Sequence, residues 1–179
     1  MGNRVSAIKH VLVIGLPKSG KSAIIAALTD GCSNTYIPTV GFDERLVQPD
    51  ISMVELGGSI VKRWLPLLQG PLNYQYTCII LCVDNSWPLP LIEYSRSILL
   101  RLLCALRGTD TLRHASLLVL VQQKNNNTVV QKRLQLQLLR SNVILNGRVA
   151  VVNIHPVNRP LHTALSPILK WITNNSNNA

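Results

Sequence analysis

The most constraining feature of this chain is a short apolar run, Val11-Leu12-Val13-Ile14, that leads straight into Gly15-Leu16-Pro17-Lys18-Ser19-Gly20-Lys21-Ser22. The octapeptide is G-x-x-x-x-G-K-S, and Ile24, Ile25 and Leu28 follow it at helical spacing before Asp30-Gly31, so the segment reads strand, loop, helix. Each part of such a loop has a physical task. Successive backbone N–H groups form an anion-binding nest, and the helix N-terminus adds its partial positive charge. Lys21 reaches terminal phosphates and the Ser22 hydroxyl ligates Mg²⁺. The candidate phosphate-binding residues are therefore Gly15, Leu16, Pro17, Lys18, Ser19, Gly20, Lys21 and Ser22.

The rest of the chain alternates in the same way. Ile51 to Leu56, Tyr76 to Val83, Leu117 to Val121 and Val149 to Ile154 are apolar runs of strand length. Leu91 to Leu106 carries Ile92, Ser95, Leu99, Leu102, Leu103 and Leu106 on one helical stripe. Val129 to Leu139 and Leu161 to Ile172 read as further helices, the last started or kinked by Pro167, and Trp64 to Leu68 as a helical turn. This alternation predicts an α/β fold with a mostly parallel central sheet covered by helices on both faces. One domain accounts for 179 residues, expected over 11–173, with an N-terminal segment 1–10 and a disordered, Asn-rich tail 174–179.

Composition narrows the class. The chain is 47% hydrophobic and 15% charged, which suits a folded globule and not a disordered one. It contains no apolar run of membrane-spanning length and no secretory leader, so a cytoplasmic protein is expected. Cys32, Cys78, Cys82 and Cys104 make no C-x-x-C pair and read as reduced thiols. Cys78 and Cys82, at i and i+4 of a strand, fall on one face and are expected in the core. Of 18 basic and 8 acidic residues, every acid lies at or before Asp110, so residues 111–179 form a field of one sign. Such a field suits an anionic membrane surface or an acidic partner. Trp171 is its single aromatic residue, which points away from nucleic acid.

Further along the chain stand Thr35-Tyr36-Ile37-Pro38-Thr39-Val40-Gly41-Phe42, Glu55-Leu56-Gly57-Gly58 and Val83-Asp84-Asn85-Ser86. Together with the phosphate loop they resemble the Arf and Arf-like small GTPases over nearly the whole chain. Glu-Leu-Gly-Gly in place of Asp-x-Gly-Gly is similar to the Arf-like branch numbered sixteen. The resemblance implies a P-loop small GTPase fold that binds GTP or GDP with Mg²⁺. It makes Thr39 the second hydroxyl on the metal and gives the γ-phosphate the N–H of Gly58. It also implies effector or regulator proteins that meet the switch segments, and a role in membrane or ciliary trafficking. A P-loop kinase would leave the Pro-Thr-Val-Gly-Phe and Glu-Leu-Gly-Gly segments unexplained.

The departures from the family pattern shape the expected chemistry. Ser59 stands where a glutamine usually orients the attacking water, and it is too short for that task, so hydrolysis should be slow. Asn-Lys-x-Asp, which holds guanine, is replaced by Gln122-Gln123-Lys124-Asn125, or with a one-residue shift by Gln123-Lys124-Asn125-Asn126. Neither contains a carboxylate, so guanine selectivity should be weak. Gln122, Gln123 and Asn125 are the candidate base-contacting residues. The connection from Gly41 to Glu55 is shorter than in a typical Arf, which puts the family's strand slide in doubt. Met1-Gly2-Asn3-Arg4-Val5-Ser6 fits the N-myristoylation pattern at Gly2, which would make the protein a peripheral membrane one. Two functions follow: a slowly hydrolysing Arf-like switch, or a pseudo-GTPase scaffold that has lost guanine specificity and hydrolysis.

Overall fold

In the computed structural model, which describes residues 7–29, 37–106, 109, 111–112, 114–122, 149–154 and 161–176, strands and helices alternate from the start. They are β1 (Lys9–Ile14), α1 (Lys21–Thr29), β2 (Phe42–Gln48), β3 (Ile51–Leu56), a 3₁₀ turn (Gly58–Ile60), α2 (Val61–Gln69), β4 (Tyr76–Asp84), α3 (Leu89–Ala105), β5 (Ser116–Gln122), β6 (Val149–Ile154) and α4 (Leu161–Ser176). The sheet has six strands in the order β2-β3-β1-β4-β5-β6. All neighbours are parallel except β2 and β3.

The inner strands are apolar on both sides because both sides are covered. On one face Leu12, Ile14, Val54, Leu56, Ile79 and Leu81 pack with Trp64 and Leu68 of α2 and Leu99 and Leu103 of α3. On the other, Val11, Val13, Met53, Cys78, Ile80 and Cys82 meet Ile24 and Ile25 of α1 and Leu165, Ile168 and Ile172 of α4. Each such side chain, once buried, contributes about 1.5–3 kcal/mol, and both sets are almost entirely withdrawn from water. Cys78 and Cys82 are packing residues of the second core, as their spacing predicts. Parallel pairing aligns the strand ends, so Ile14, Leu56, Asp84 and Gln122 all close on one edge of the sheet, where ligand loops gather in α/β folds.

Several expectations change. The sheet begins at Lys9, so Lys9 and His10 belong to the domain and not to a leading segment. The tail is helical through Ser176. The buried stripe Leu165, Ile168 and Ile172 anchors α4. Pro167 lies inside that helix and does not start it. The turn expected at Trp64 to Leu68 is a full helix, α2, held by burial of Trp64 and Leu68 despite Pro66 inside it. β2 had no strand signal because it is an edge strand, mostly exposed and without alternating burial. The helix expected at 129–139 lies outside the described residues.

The β2–β3 hairpin is tied down at the sheet edge far from the phosphate loop. Glu44 accepts hydrogen bonds from the Ser52 hydroxyl at 2.7 Å and the Tyr74 hydroxyl at 3.2 Å. His10 Nδ1 lies 3.4 Å from the same carboxylate. The His10 ring stacks on Tyr74 with centroids 4.1 Å apart. Lys9 donates its backbone N–H to Asp50 O at 2.8 Å, and its ammonium lies 3.5 Å from the Asp50 carboxylate.

Candidate nucleotide site

The loop between β1 and α1 turns back on itself through two left-handed residues, Lys18 (φ +64°) and Gly20 (φ +81°). Glycine is required at 20. A Cβ there would overlap the Gln122 side-chain amide, which rests on the loop from the end of β5. Gly15 is confined as well, since a Cβ would lie 2.6 Å from Cys82 O and 2.7 Å from Ser19 Oγ. Leu16 turns its side chain into the core, so it serves the loop through its backbone. Pro17 and Lys18 stand exposed at the rim, and Ser19 is buried.

Lys21 is 5% exposed. Its ammonium donates to Gly15 O at 2.9 Å, Leu16 O at 3.1 Å and Ser19 Oγ at 3.2 Å. Burial pushes its pKa below the ordinary lysine value, while Cys82 and Glu55 pull it upward. Cys82, wholly buried beneath it, has its thiol pushed up to about 12 by burial. It is therefore a neutral packing group.

Ser22 Oγ donates to Glu55 Oε1 at 2.9 Å and lies 3.4 Å from Thr39 Oγ1. Residues as much as 33 positions apart thus converge, because β3 runs beside β1 and ends level with the loop. Two hydroxyls and one carboxylate form a set of hard oxygen donors with no nitrogen or sulfur. That set fits Mg²⁺, which takes few protein ligands and completes its shell with phosphate oxygens and water. Glu55 is the residue that the motif analysis undervalued: it reaches the Ser22 hydroxyl itself.

The Gly57-Gly58 segment closes the site from the other side. A Cβ on Gly58 would overlap Pro17 N and lie 2.5 Å from Leu16 C, so the glycine rests on the phosphate loop. Gly57 donates its N–H to Gly41 O at 2.8 Å. The Gly57 carbonyl accepts the indole N–H of Trp64 at 2.9 Å. Nothing in the sequence pattern distinguishes that tryptophan from an ordinary core residue. Ser59 stands exposed on the rim of a cleft of about 360 Å³ that is also lined by Lys18, Lys21, Ser22, Thr39, Glu55 and Gly58. Gln123, Asn125 and Gly2 lie outside the described residues.

An anion loop leading into a helix, with a buried lysine and converging hydroxyls, places the chain among the P-loop nucleotide-binding proteins. The profile of the ADP-ribosylation factor family matches residues 3–176, and the chain belongs to that family of GTP-binding switches. A search of the curated proteins finds no match. Among solved structures the chain is similar to the Arl6 BBS3 small GTPase of Trypanosoma brucei with bound GppNp. The identity is 15%, covering 96% of this chain and 99% of that one, with a TM-score of 0.66. It is also similar to the mammalian SRP receptor at 14% identity and a TM-score of 0.68, over 93% of this chain and 100% of that one. At these identities the likeness shows the α/β P-loop GTPase fold.

Proposed function

We propose that this chain is a Mg²⁺-dependent nucleotide switch with slow hydrolysis and weak guanine preference, acting in membrane or ciliary trafficking. The convergence of Ser22, Thr39 and Glu55 beside the Lys21 loop carries this reading. Loop N–H groups and the α1 N-terminus would hold the phosphates, and Lys21 would exchange its three loop contacts for phosphate oxygens. Ser22 and Thr39 would hold Mg²⁺, with Glu55 positioning the Ser22 hydroxyl. The ion supplies charge neutralisation at the β- and γ-phosphates. Thr39 and Gly58 belong to segments that also present exposed apolar residues, Ile37 at 88% and Val40 at 89%. Effector and regulator proteins would meet that surface. The Glu55-Leu56-Gly57-Gly58 segment supports the Arf-like branch numbered sixteen.

The base side supports weak selectivity. The Gln122 amide rests on Gly20, so it shapes the loop, and the ungapped register puts Asn125 where the family's carboxylate stands. Calorimetry with GTP, GDP, ATP and XTP, with and without Mg²⁺, tests the reading. Micromolar or tighter binding that needs Mg²⁺ and differs little between GTP and XTP supports it. A GTP affinity far above those for ATP and XTP overturns weak selectivity, and no binding of any nucleotide overturns the switch.

The second reading, a pseudo-GTPase scaffold, is favoured by the exposed Ser59 at the water-positioning place. Nucleotide binding with no measurable turnover would select it. Myristoylation of Gly2 is part of the proposal, and one acyl chain gives only marginal membrane binding, so the basic field of residues 111–179 would have to assist. Binding of acylated protein to anionic liposomes should then fall with salt. Equal sedimentation of Gly2→Ala refutes the lipid part.

A further inference from the structure

α2 and α3 run beside one another and leave a second cleft, of about 230 Å³, away from the nucleotide site. Its walls are apolar: Trp64 and Leu65 come from α2, and Tyr94 and Ile98 from α3. Tyr94 is half exposed and Trp64 buried, so the cleft is open at its mouth and closed at its floor. Lys62 and Arg101, one from each helix, stand exposed at its rim. Among the described residues the ion pairs are Lys9 with Asp50, His10 with Glu44, and Arg45 with Asp43, so neither rim cation has a carboxylate partner. Two unpaired cations flanking an apolar floor match one kind of occupant, a chain segment that offers a carboxylate next to a bulky apolar side chain.

We infer that the α2–α3 cleft is a docking site for an acidic segment of a partner protein, with the partner's apolar side chain against Trp64 and its carboxylate between Lys62 and Arg101. The cleft has a direct line to the nucleotide site. Trp64, its floor, donates the 2.9 Å bond to Gly57 O, and the next residue, Gly58, rests on the phosphate loop. Anything that presses on the Trp64 indole therefore acts on the backbone that faces the terminal phosphate. Docking itself stands on the cleft alone, whereas its coupling to Gly58 rests on the nucleotide reading above.

The test uses the full chain, ¹⁵N-labelled, and two synthetic helical peptides. One presents leucine and glutamate along one face, and the other leucine and lysine. The Trp64 indole signal, identified by its loss in Trp64→Phe, is followed during titration. Saturable movement with the glutamate peptide alone, weakened about tenfold or more in Lys62→Glu/Arg101→Glu, supports docking. Both changes lie on exposed side chains, and an unchanged amide spectrum shows that the variant is folded. No saturable movement, an equal response to the lysine peptide, or undiminished affinity in the charge-reversed variant overturns it. For the coupling, the titration is repeated with GDP and with a non-hydrolysable GTP analogue. A nucleotide-dependent peptide affinity, read on the backbone amides of α2 and α3 in parent and variant alike, that becomes equal in the two states in Trp64→Phe supports the link. Equal affinity in both states, in protein shown by calorimetry to bind both nucleotides, overturns it.

Discussion

Replacing Lys21 by methionine isolates the charge from the stem that carries it. In the described state the ammonium donates three hydrogen bonds, to Gly15 O, Leu16 O and Ser19 Oγ. Each bond to a charged group contributes about 1.5–3 kcal/mol, but holding an ammonium at 5% exposure costs several kcal/mol of desolvation. The two largely offset, so the variant should fold with a stability within about 2 kcal/mol of the parent. Binding is affected differently. With phosphate present the ammonium faces full negative charge, and truncating one partner of such a pair costs about 2–5 kcal/mol. The affinity for GTP should fall by about 30-fold to several thousand-fold. Lys21→Ala should abolish measurable binding while leaving a cavity as well, so methionine is the cleaner change. Thermal unfolding of the nucleotide-free protein and calorimetry in Mg²⁺ read the two quantities separately. Unchanged GTP affinity in a folded Lys21→Met protein would refute the assignment of Lys21 to phosphate.

Burial lowers the pKa of Lys21, so above that lowered value the empty site is deprotonated and phosphate binding must take up a proton. Affinity should therefore decline with rising pH on the alkaline side, beginning below 10.5. Protein stability from this group should rise across the same window, because there the unfolded chain binds more protons; calorimetry in buffers of different ionisation enthalpy and thermal melts check the two. Ser59→Gln should raise single-turnover GTP hydrolysis, since it supplies a side chain long enough to orient water at the rim, and no gain would place water positioning elsewhere. Gly20→Ala should lower the melting temperature and weaken nucleotide binding. The left-handed backbone alone costs about 1–2 kcal/mol for a residue with a Cβ, and Gln122→Ala in the same background should recover the part due to overlap with the amide.

The parts of the fold that were legible in the sequence are those whose burial makes the pattern. β3 and β6 were read to the residue, and β4, β5 and α3 nearly so, because these strands are short runs rich in apolar residues and α3 buries one clean stripe. β2 was invisible because Phe42-Asp43-Glu44-Arg45-Leu46-Val47-Gln48 mixes charged and apolar residues on a mostly exposed strand, which owes its conformation to pairing with β3. Pro66 disguised α2, whose stability comes from tertiary packing of Trp64 and Leu68. The phosphate loop was legible because its chemistry depends on a contiguous octapeptide. The Ser22–Thr39–Glu55 cluster needed motif resemblance, since its members meet only after β3 lies beside β1. The Trp64 to Gly57 bond was beyond sequence reading, because an indole donor inside a core looks like any other buried aromatic.

Glu44 gives the β2–β3 hairpin a mechanical property. Its partners sit on three separate pieces of chain: Ser52 within the hairpin, His10 on β1 and Tyr74 on the loop before β4. A slip of the hairpin along β1 by one pleat, about 6.6 Å, would carry Glu44 away from Tyr74 and His10 together and part Asp50 from Lys9. These contacts act as a shear pin, with no intermediate register in which half of them survive. At the nucleotide end Gly41 O accepts the Gly57 N–H at 2.8 Å, and Gly58 rests on the phosphate loop. The hairpin is thus held at both ends, by side chains near the Asp50 turn and by the Gly57-Gly58 backbone beside the phosphate loop.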